Sequence, residues 1–483
     1  MESDSLKDKA TSGLAWTTIH RFTSMGLSFF SGIILARLLT PDDFGCIGML
    51  SIFMVIANNV VDGGFAAALI QKKRPSQDDY STIFYWNMAM ALLMYAIVYI
   101  CAPLVAKFYK VDILCPVLRV QGTVLILNAL LLIQNNQLRK QFKFKKIAIV
   151  TIATSVASLA LTVYLAYSGY GVWALVAQNL ASTFLPAVVY WITNKWRPSL
   201  HFSIQSFKEL FGFGGFMFLT NMFNSVTNNI QGLLIGKLYN PATMGYYSKA
   251  QSTETMASTS ISQILAQITL PLYSEVQHDF QSLINVIRRL TVSLAYLTFP
   301  MMFLLCLLAK PLFVFLYSAK WIPSVPYFQV LCIAGLAICL QAVNLQAIAA
   351  IGKSKLMFKW TIIKNFVTLI LIVAGLVIAG IWGMLIGMVL QAWFAYIVNA
   401  SLVSRHIGYK FNDQVRDLLP ILALSSIAFI IAFLSGKILP FGGYLIAVIE
   451  MLIFIIVYFA GSLFFKLDSY TYFKNLFISY IKK

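Results

Sequence analysis

Seven ionisable residues lie inside long apolar stretches of the sequence, where a charge needs either a partner or water. They are Arg21, Asp62, Arg119, Lys249, Glu254, Lys364 and Glu450. A charge at the centre of a bilayer costs a few kcal/mol, so such residues usually face a binding site or a cavity. A fixed cation there suits an anionic ligand, and the planar guanidinium of arginine suits phosphate oxygens in particular.

Arg21 is the cation that we expect to lie deepest. It is about ten residues into its predicted helix, or roughly 15 Å along the helix axis, and Glu254 has a similar predicted depth. Arg119, Lys249 and Lys364 lie nearer to predicted helix ends, where a long side chain can reach the interface. A structural ion pair between Arg21 and Glu254 is the alternative to a binding role for Arg21.

Uncharged polar residues extend this pattern into stripes along four predicted helices. On the first helix, Arg21, Ser24 and Ser28 share one face at 100° per residue. Polar faces are costly towards lipid, so they should line a cavity or form hydrogen bonds between helices. The candidate substrate-binding residues are Arg21, Ser24, Ser28, Asn58, Asp62, Asn221, Asn224, Asn228, Lys249 and Glu254.

No catalytic or metal site is evident in the sequence. The four histidines are scattered without metal-ligand spacing, so no metal or cofactor is expected. The paired carboxylates Asp42-Asp43 and Asp78-Asp79 could suggest a sugar-transferring enzyme, but no long extramembrane segment accompanies them. We expect Asp42 and Asp43 to begin a helix, whose N-terminus favours negative charge, and Asp78 and Asp79 to lie in a solvated loop.

The composition indicates which elements must position these residues. Hydrophobic residues are 59% of the 483 and charged residues are 11%, whereas soluble domains carry about a quarter charged residues. Segments of about 20 apolar residues recur, and only helices satisfy the backbone of such segments in lipid. We predict an all-α polytopic membrane protein with about fourteen spanning segments, near 12–36, 44–70, 81–106, 114–137, 147–167, 171–194, 209–236, 243–271, 288–309, 325–348, 357–379, 381–404, 417–436 and 442–465.

The basic residues predict the orientation of these segments. Twenty-five of the 36 Lys and Arg residues fall at the two termini or in loops after even-numbered segments, and seven fall in loops after odd-numbered segments. The positive-inside rule therefore places both termini in the cytoplasm. Because the basic residues are spread over many short loops, the net charge of +19 reflects topology, and nucleic acid is not an expected partner.

A repeat divides the chain. Residues 32–41 align with residues 232–241 without a gap, and Gly45 aligns with Gly245 at the same offset of 200. Gly171-Val172-Trp173 similarly matches Gly380-Ile381-Trp382. We predict two parallel six-helix lobes around a central cavity, 1–200 and 201–410, followed by an additional helix pair and cytoplasmic tail, 411–483.

The stretch from Trp16 to Lys73 resembles a known family. Its motifs are GIILARLLTPDDFGCIGML, which begins at Gly32, and VVDGGFAAALIQKK, which begins at Val60. They resemble the polysaccharide exporters of the multidrug/oligosaccharidyl-lipid/polysaccharide superfamily. Within it they are most similar to Wzx-type lipid-linked oligosaccharide flippases of the colanic-acid and teichuronic-acid exporter kind.

The resemblance implies a two-lobed bundle that works by alternating access in a bacterial inner membrane. The implied substrate is an undecaprenyl-diphosphate-linked sugar repeat unit, flipped from the cytoplasmic to the periplasmic leaflet, with H⁺ or Na⁺ as a candidate coupling ion. The chain departs from the family pattern of several cavity arginines, because the repeat partner of Arg21 is the neutral Asn221.

Two other functions stay open at this point. A cation-coupled multidrug antiporter of the same superfamily would share the fold and would use acidic residues such as Asp62 and Glu254. A membrane-bound polysaccharide polymerase would instead form sugar linkages.

Overall fold

The chain is helical throughout the part that the structure describes. The computed structural model describes residues 2–439 and 443–466, with side chains from residue 16 onward except those of 213, 216, 259–268, 270–271 and 354–355. These ranges contain one 3-10 helix, Ala319–Trp321, and no strand. The α-helices are α1 (Glu2–Leu38), α2 (Pro41–Asp62), α3 (Phe65–Gln71), α4 (Gln77–Tyr109), α5 (Leu114–Gln121), α6 (Thr123–Lys140), α7 (Phe144–Tyr167), α8 (Val172–Thr193), α9 (Ile204–Leu238), α10 (Pro241–Val276), α11 (Phe280–Leu307), α12 (Ala309–Tyr317), α13 (Ser324–Ala350), α14 (Ser354–His406), α15 (Phe411–Ile438) and α16 (Gly443–Phe464).

The predicted all-α membrane class is confirmed. Within the described residues, 11 helical stretches are long and apolar enough to cross a membrane. The 53-residue α14 counts as one of them, although its backbone leaves the helical region at Ala379 and Gly380. Polar residues dilute the apolar sequence of α9 and α10. The number of fourteen spanning helices therefore stays a prediction.

The break in α14 folds this helix back on itself. A Cβ atom at Gly375 would overlap the carbonyl oxygen of Gly383, and one at Gly387 would overlap that of Leu371. Because residues on opposite sides of the break meet in pairs, the two arms of α14 run antiparallel. Glycines allow this approach because they have no side chain.

The turn before α2 follows from its own sequence. Thr40 and Asp43 form a capping box, in which the Thr40 hydroxyl accepts the Asp43 N–H and the Asp43 carboxylate accepts the Thr40 N–H at 2.8 Å. Pro41 occupies the first helical turn, where its missing N–H costs no hydrogen bond. The prediction that Asp42 and Asp43 begin a helix is confirmed.

The predicted continuous segment 44–70 is wrong, because the helix breaks at Gly63-Gly64. Both glycines have positive φ angles, 56° and 77°, which residues with a side chain rarely adopt. The Asp62 carboxylate then accepts the N–H of Ala66 at 3.3 Å at the start of α3. Gly64 also lies against α9, since a Cβ there would overlap the Gly214 carbonyl oxygen. The adjacent glycines were the sequence signal for this break.

We expect Gly64→Ala to destabilise the protein by about 2–5 kcal/mol. The alanine combines left-handed strain of about 1–2 kcal/mol with overpacking against α9 of about 1–3 kcal/mol. Gly169→Ala is the matched control, because Gly169 has a φ of +81° with open space around its Cβ position. Thermal unfolding in detergent measures both variants. Equal losses would show that the contact with Gly214 contributes nothing.

The prediction that Asp78 and Asp79 lie in a solvated loop is wrong, because both residues lie in the first turn of α4. The larger departure is at Asp79. Its side chain is 1% exposed, caps α4 and pairs with Lys72 at 3.0 Å. Lys72 also pairs with Glu209 of α9 at 3.0 Å. Partial burial acts to lower the pKa of Lys72, but the hydrogen bonds and charges of the two carboxylates outweigh it and raise this pKa. Asp79 therefore has a structural role.

The chain divides into two compact units, Met1–Ser248 and Lys249–Lys483. In the first unit, α1 packs on α7, and α2 packs on α4, α8 and α9. In the second unit one core joins α11, α13, α14, α15 and α16. The additional helix pair belongs to that core, since the Tyr458 hydroxyl donates to the Tyr296 carbonyl at 2.8 Å. The lobe boundaries taken from the sequence repeat stay a prediction.

Candidate functional site

The polar stripe of α1 lies partly on the surface of the first unit. Arg21 is half-buried and Ser28 is exposed. Ser24 is half-buried, and its hydroxyl has no hydrogen-bond partner among the described residues. One turn beyond Ser28, Ser31 is buried and accepts from the Gln178 amide at 2.9 Å. The stripe therefore passes from an accessible end near Arg21 to a packed end near Ser31.

The stripe of α9 is accessible in the same unit. Asn221 and Asn228 are exposed, and Asn224 is half-buried. Asn221 lies 17 residues before the end of α9, and Arg21 lies 17 residues before the end of α1. The repeat thus places Arg21 and Asn221 at matching depths, about 26 Å from the ends of their helices.

Asn58 and Asp62 contact neighbouring elements of the first unit. Asn58 accepts from the Asn128 amide at 2.7 Å and donates to the Met54 carbonyl at 2.9 Å. Asp62 is the last residue of α2 and accepts from the start of α3. Asn58 therefore forms a hydrogen bond between helices, and Asp62 forms a helix-capping contact. Their roles in substrate binding stay predictions.

Lys249 is enclosed by aromatic rings of the second unit. Its side chain is 5% exposed. The ammonium nitrogen lies 4.2 Å from the centroid of the Tyr317 ring and 5.7 Å from that of Trp321. A desolvated ammonium over aromatic faces gains about 2 kcal/mol or more. The sequence predicts that Lys249 reaches the interface, whereas the structure buries it.

Glu254 is buried among α10, α11 and α13. It is 4% exposed, and its Oε1 has no hydrogen-bond partner among the described residues. This oxygen points at Gly335, where an ideal Cβ would lie 2.7 Å away and would also contact the Met302 sulfur. The other carboxylate oxygen, Oε2, accepts from the Thr255 hydroxyl at 3.5 Å. The role of Glu254 in substrate binding stays a prediction.

The repeated motif makes a contact that the sequence comparison did not anticipate. A Cβ at Gly45 would overlap the carbonyl oxygen of Pro241, and a Cβ at Gly245 would overlap that of Pro41. These four residues are related by the offset of 200. The starts of α2 and α10 therefore meet through equivalent atoms, as expected at a local two-fold axis. The repeat itself was the available signal.

The described residues form no candidate metal centre. Within them, no group of three or more His, Cys, Asp or Glu side chains could hold a metal ion. The arrangement presents a cation and amides on accessible helix faces, which can bind a polar solute.

Comparison with known proteins identifies the family. The family described as "Polysaccharide biosynthesis protein" matches residues 34–326, more than half of the chain. The teichuronic acid biosynthesis protein TuaB of Bacillus subtilis (strain 168) is 24% identical over 361 residues, 74% of this chain and 74% of that protein. The lipopolysaccharide biosynthesis protein WzxC of Escherichia coli (strain K12) is 22% identical over 448 residues, 90% of this chain and 89% of that protein.

The fold agrees with this assignment. The lipid II flippase MurJ, in an inward closed conformation, superposes with a TM-score of 0.76 at 15% sequence identity, over 93% of this chain and 98% of that chain. The resemblance to Wzx-type exporters that the motifs of α1 to α3 indicate is confirmed. The chain is an all-α, multi-span membrane protein and belongs to the polysaccharide biosynthesis protein family.

Proposed function

We propose that this protein flips undecaprenyl-diphosphate-linked oligosaccharide repeat units from the cytoplasmic to the periplasmic leaflet of a bacterial inner membrane. The observation that carries the proposal is the accessible polar face of α1 with Arg21 on it, matched at equal depth by Asn221 on α9. Surface polysaccharide biosynthesis would use the flipped units. The family membership and the flippase fold support this reading.

The chemistry of the stripes fits the two parts of this substrate. Arginine provides a forked pair of donors for the oxygens of a diphosphate, and the amides of Asn221, Asn224 and Asn228 suit sugar hydroxyls. The lipid tail can stay in the bilayer while the head group crosses by alternating access. We infer that the protein is a transporter without catalytic activity and that H⁺ or Na⁺ is its candidate coupling ion.

The length of α1 favours a position for Arg21 near one membrane face and not the mid-membrane position expected from the sequence. If α1 leaves the hydrocarbon near Leu38, then Arg21 lies about 26 Å away, within a hydrocarbon core of about 30 Å. This is close to the side that the basic residues predict to be cytoplasmic. An arginine at that level suits capture of a diphosphate from the cytoplasmic leaflet.

A cation-coupled multidrug antiporter is the second candidate. It is favoured by one observation, the buried Glu254 carboxyl group with an oxygen that has no hydrogen-bond partner among the described residues. Binding of a cationic dye at the expense of H⁺ or Na⁺ would support this candidate.

Cysteine labelling tests the predicted orientation. In a cysteine-free background, new cysteines replacing Lys110, Lys320 or Lys437 should react with an impermeant thiol reagent added from the periplasm. Cysteines replacing Lys73 or Lys143 should react only after the cells are opened, because basic loops stay in the cytoplasm. The reverse pattern would overturn the proposed direction of transport.

Deletion of the gene tests the function itself. A flippase defect should cause lipid-linked repeat units to accumulate on the cytoplasmic leaflet, where an external reagent cannot reach them. A polymerase defect would instead leave single repeat units exposed to the periplasm, and an antiporter defect would leave these intermediates unchanged. Either of the last two outcomes would refute the proposal.

A further inference from the structure

The second unit contains a small cavity between α13 and the two arms of α14, with four polar side chains in a mainly apolar wall. It has a volume of about 80 Å³, enough for more than one water-sized group, since a single water needs about 10–15 Å³. The residues of its wall that can recognise a ligand are Gln341, Trp360, Thr361, Lys364, Phe394 and Asn399. All of these residues except Gln341 lie on α14. The antiparallel arms of α14 place Lys364 and Asn399 in the same cavity wall, although the two residues are 35 positions apart in the sequence.

Lys364 carries the charge of this cavity. It lies ten residues after the start of α14, or about 15 Å along the helix, inside an apolar span. The sequence predicts that its side chain reaches the interface, whereas the structure places it in the cavity wall. Among the described residues no carboxylate pairs with Lys364, and the cavity wall contains no Asp or Glu.

The neighbouring polar groups are neutral. Asn399 is buried at the wall. The Gln341 amide donates one N–H to the Ala392 carbonyl at 2.9 Å, which fixes its position. The Thr361 hydroxyl donates to the Met357 carbonyl at 2.9 Å. An ammonium that shares a buried cavity wall with neutral amides favours a negatively charged ligand, since charges interact more strongly in a site of low dielectric constant than in water.

We propose that this cavity binds a small anionic group, a carboxylate or a phosphate, through Lys364. The volume of the cavity fits such a group and excludes an oligosaccharide. A lysine suits this chemistry because its ammonium is a compact charge with three donors and needs no bidentate partner. The group could be a free ion or a substituent of a sugar, and these two sources differ in the test below. The proposal does not depend on the identity of the transported substrate.

Thermal unfolding of the full chain in nanodiscs of phosphatidylcholine tests the proposal. Acetate, inorganic phosphate, glucuronate and the neutral control glucose are compared at constant ionic strength, with sodium chloride as the balancing salt. A ligand that binds only the folded state raises the Tm, by about 3 °C when it is in large excess over its Kd. We expect acetate or phosphate to raise the Tm and glucose to have no effect. A larger shift with glucuronate than with acetate identifies a sugar-borne carboxylate as the source.

Variants show whether Lys364 is responsible. Lys364→Met should remove the anion-dependent rise, and Lys364→Arg should keep at least part of it. Lys359→Met is the matched control, because Lys359 is an exposed cation one and a half turns earlier on α14. Asn399→Asp supplies a carboxylate within the cavity, so it should raise the Tm without added anion and remove the anion dependence. No anion dependence in the natural protein, or equal dependence in Lys364→Met, would overturn the proposal.

Discussion

Replacing Arg21 with alanine should abolish export while the protein remains inserted and abundant. Arg21 lies on an accessible polar face, and it has no ion pair among the described residues. We expect Arg21 to hold the diphosphate through two hydrogen bonds. A hydrogen bond to a charged group contributes about 1.5–3 kcal/mol. At 1.4 kcal/mol per factor of ten, transport should fall at least about a hundredfold. The flux of lipid-linked oligosaccharide, normalised to protein level, measures this loss.

Two further substitutions separate charge from geometry. Arg21→Lys keeps the charge but loses the planar fork, so we expect partial activity. Arg74→Ala removes a cation from the exposed loop between α3 and α4 and should leave export near normal. Equal losses in Arg21→Ala and Arg74→Ala would show that only the overall charge matters.

A structural role for Arg21 predicts a different pattern. If Arg21 neutralises Glu254, then Arg21→Ala leaves a carboxylate unpaired, which costs several kcal/mol and lowers protein abundance. The double variant Arg21→Ala, Glu254→Ala should then restore both abundance and export. Such a rescue would refute the substrate role, whereas an abundant but inactive double variant supports it.

Adding a methyl group to each of the two glycines where the repeats meet should also stop transport. Gly45 and Gly245 contact the carbonyl oxygens of Pro241 and Pro41 without room for a Cβ, at the end of α2 and α10 that the basic residues predict to be periplasmic. If the protein works by alternating access, as we propose, opening of this end would break the contact. Overpacking costs about 1–3 kcal/mol per site. In the double variant Gly45→Ala, Gly245→Ala, the population of the state in which this contact is closed should therefore fall by about a hundredfold. Export should fall by a similar factor.

Thiol labelling shows whether these alanines hold the periplasmic end open. Ser248 lies beside Gly48, where an ideal Cβ would be 2.7 Å from the Ser248 hydroxyl, about one turn from the glycine contact. In a cysteine-free background, Ser248→Cys should react about tenfold faster with a periplasmic reagent when the two alanines are present. Gly26→Ala and Gly212→Ala are matched controls, because no atom lies within 4 Å of their Cβ positions. Unchanged labelling together with a lower Tm would assign the contact a purely structural role.

Local sequence signals predicted much of this structure. The helix start at Asp42 and Asp43 and the apolar spans each depend on short-range chemistry or periodicity, and the structure contains both features. The glycine pair at the Gly63-Gly64 break is also a local signal, but the apolar residues before and after it make the sequence resemble one continuous helix. The glycine contact between α2 and α10 could not be read from one helix alone, because it depends on how two helices pack.

The environments of the ionisable residues were much harder to predict. Lys249 and Lys364 were both predicted to reach the interface, yet one lies against two aromatic rings and the other lines a cavity. Asp79 pairs with a lysine seven residues earlier, across the loop between α3 and α4. Such environments arise from tertiary packing, which periodicity along one helix does not encode.

Reconstitution tests the central claim most directly. The purified protein is placed in liposomes that contain a fluorescent undecaprenyl-diphosphate-linked oligosaccharide, and an impermeant reagent reports which leaflet holds the oligosaccharide. We expect the natural protein to move the oligosaccharide between leaflets at least about a hundredfold faster than the Arg21→Ala variant does. Movement no faster than in protein-free liposomes, in a preparation that exchanges cationic dyes for H⁺ or Na⁺, would contradict the flippase account and establish the antiporter in its place.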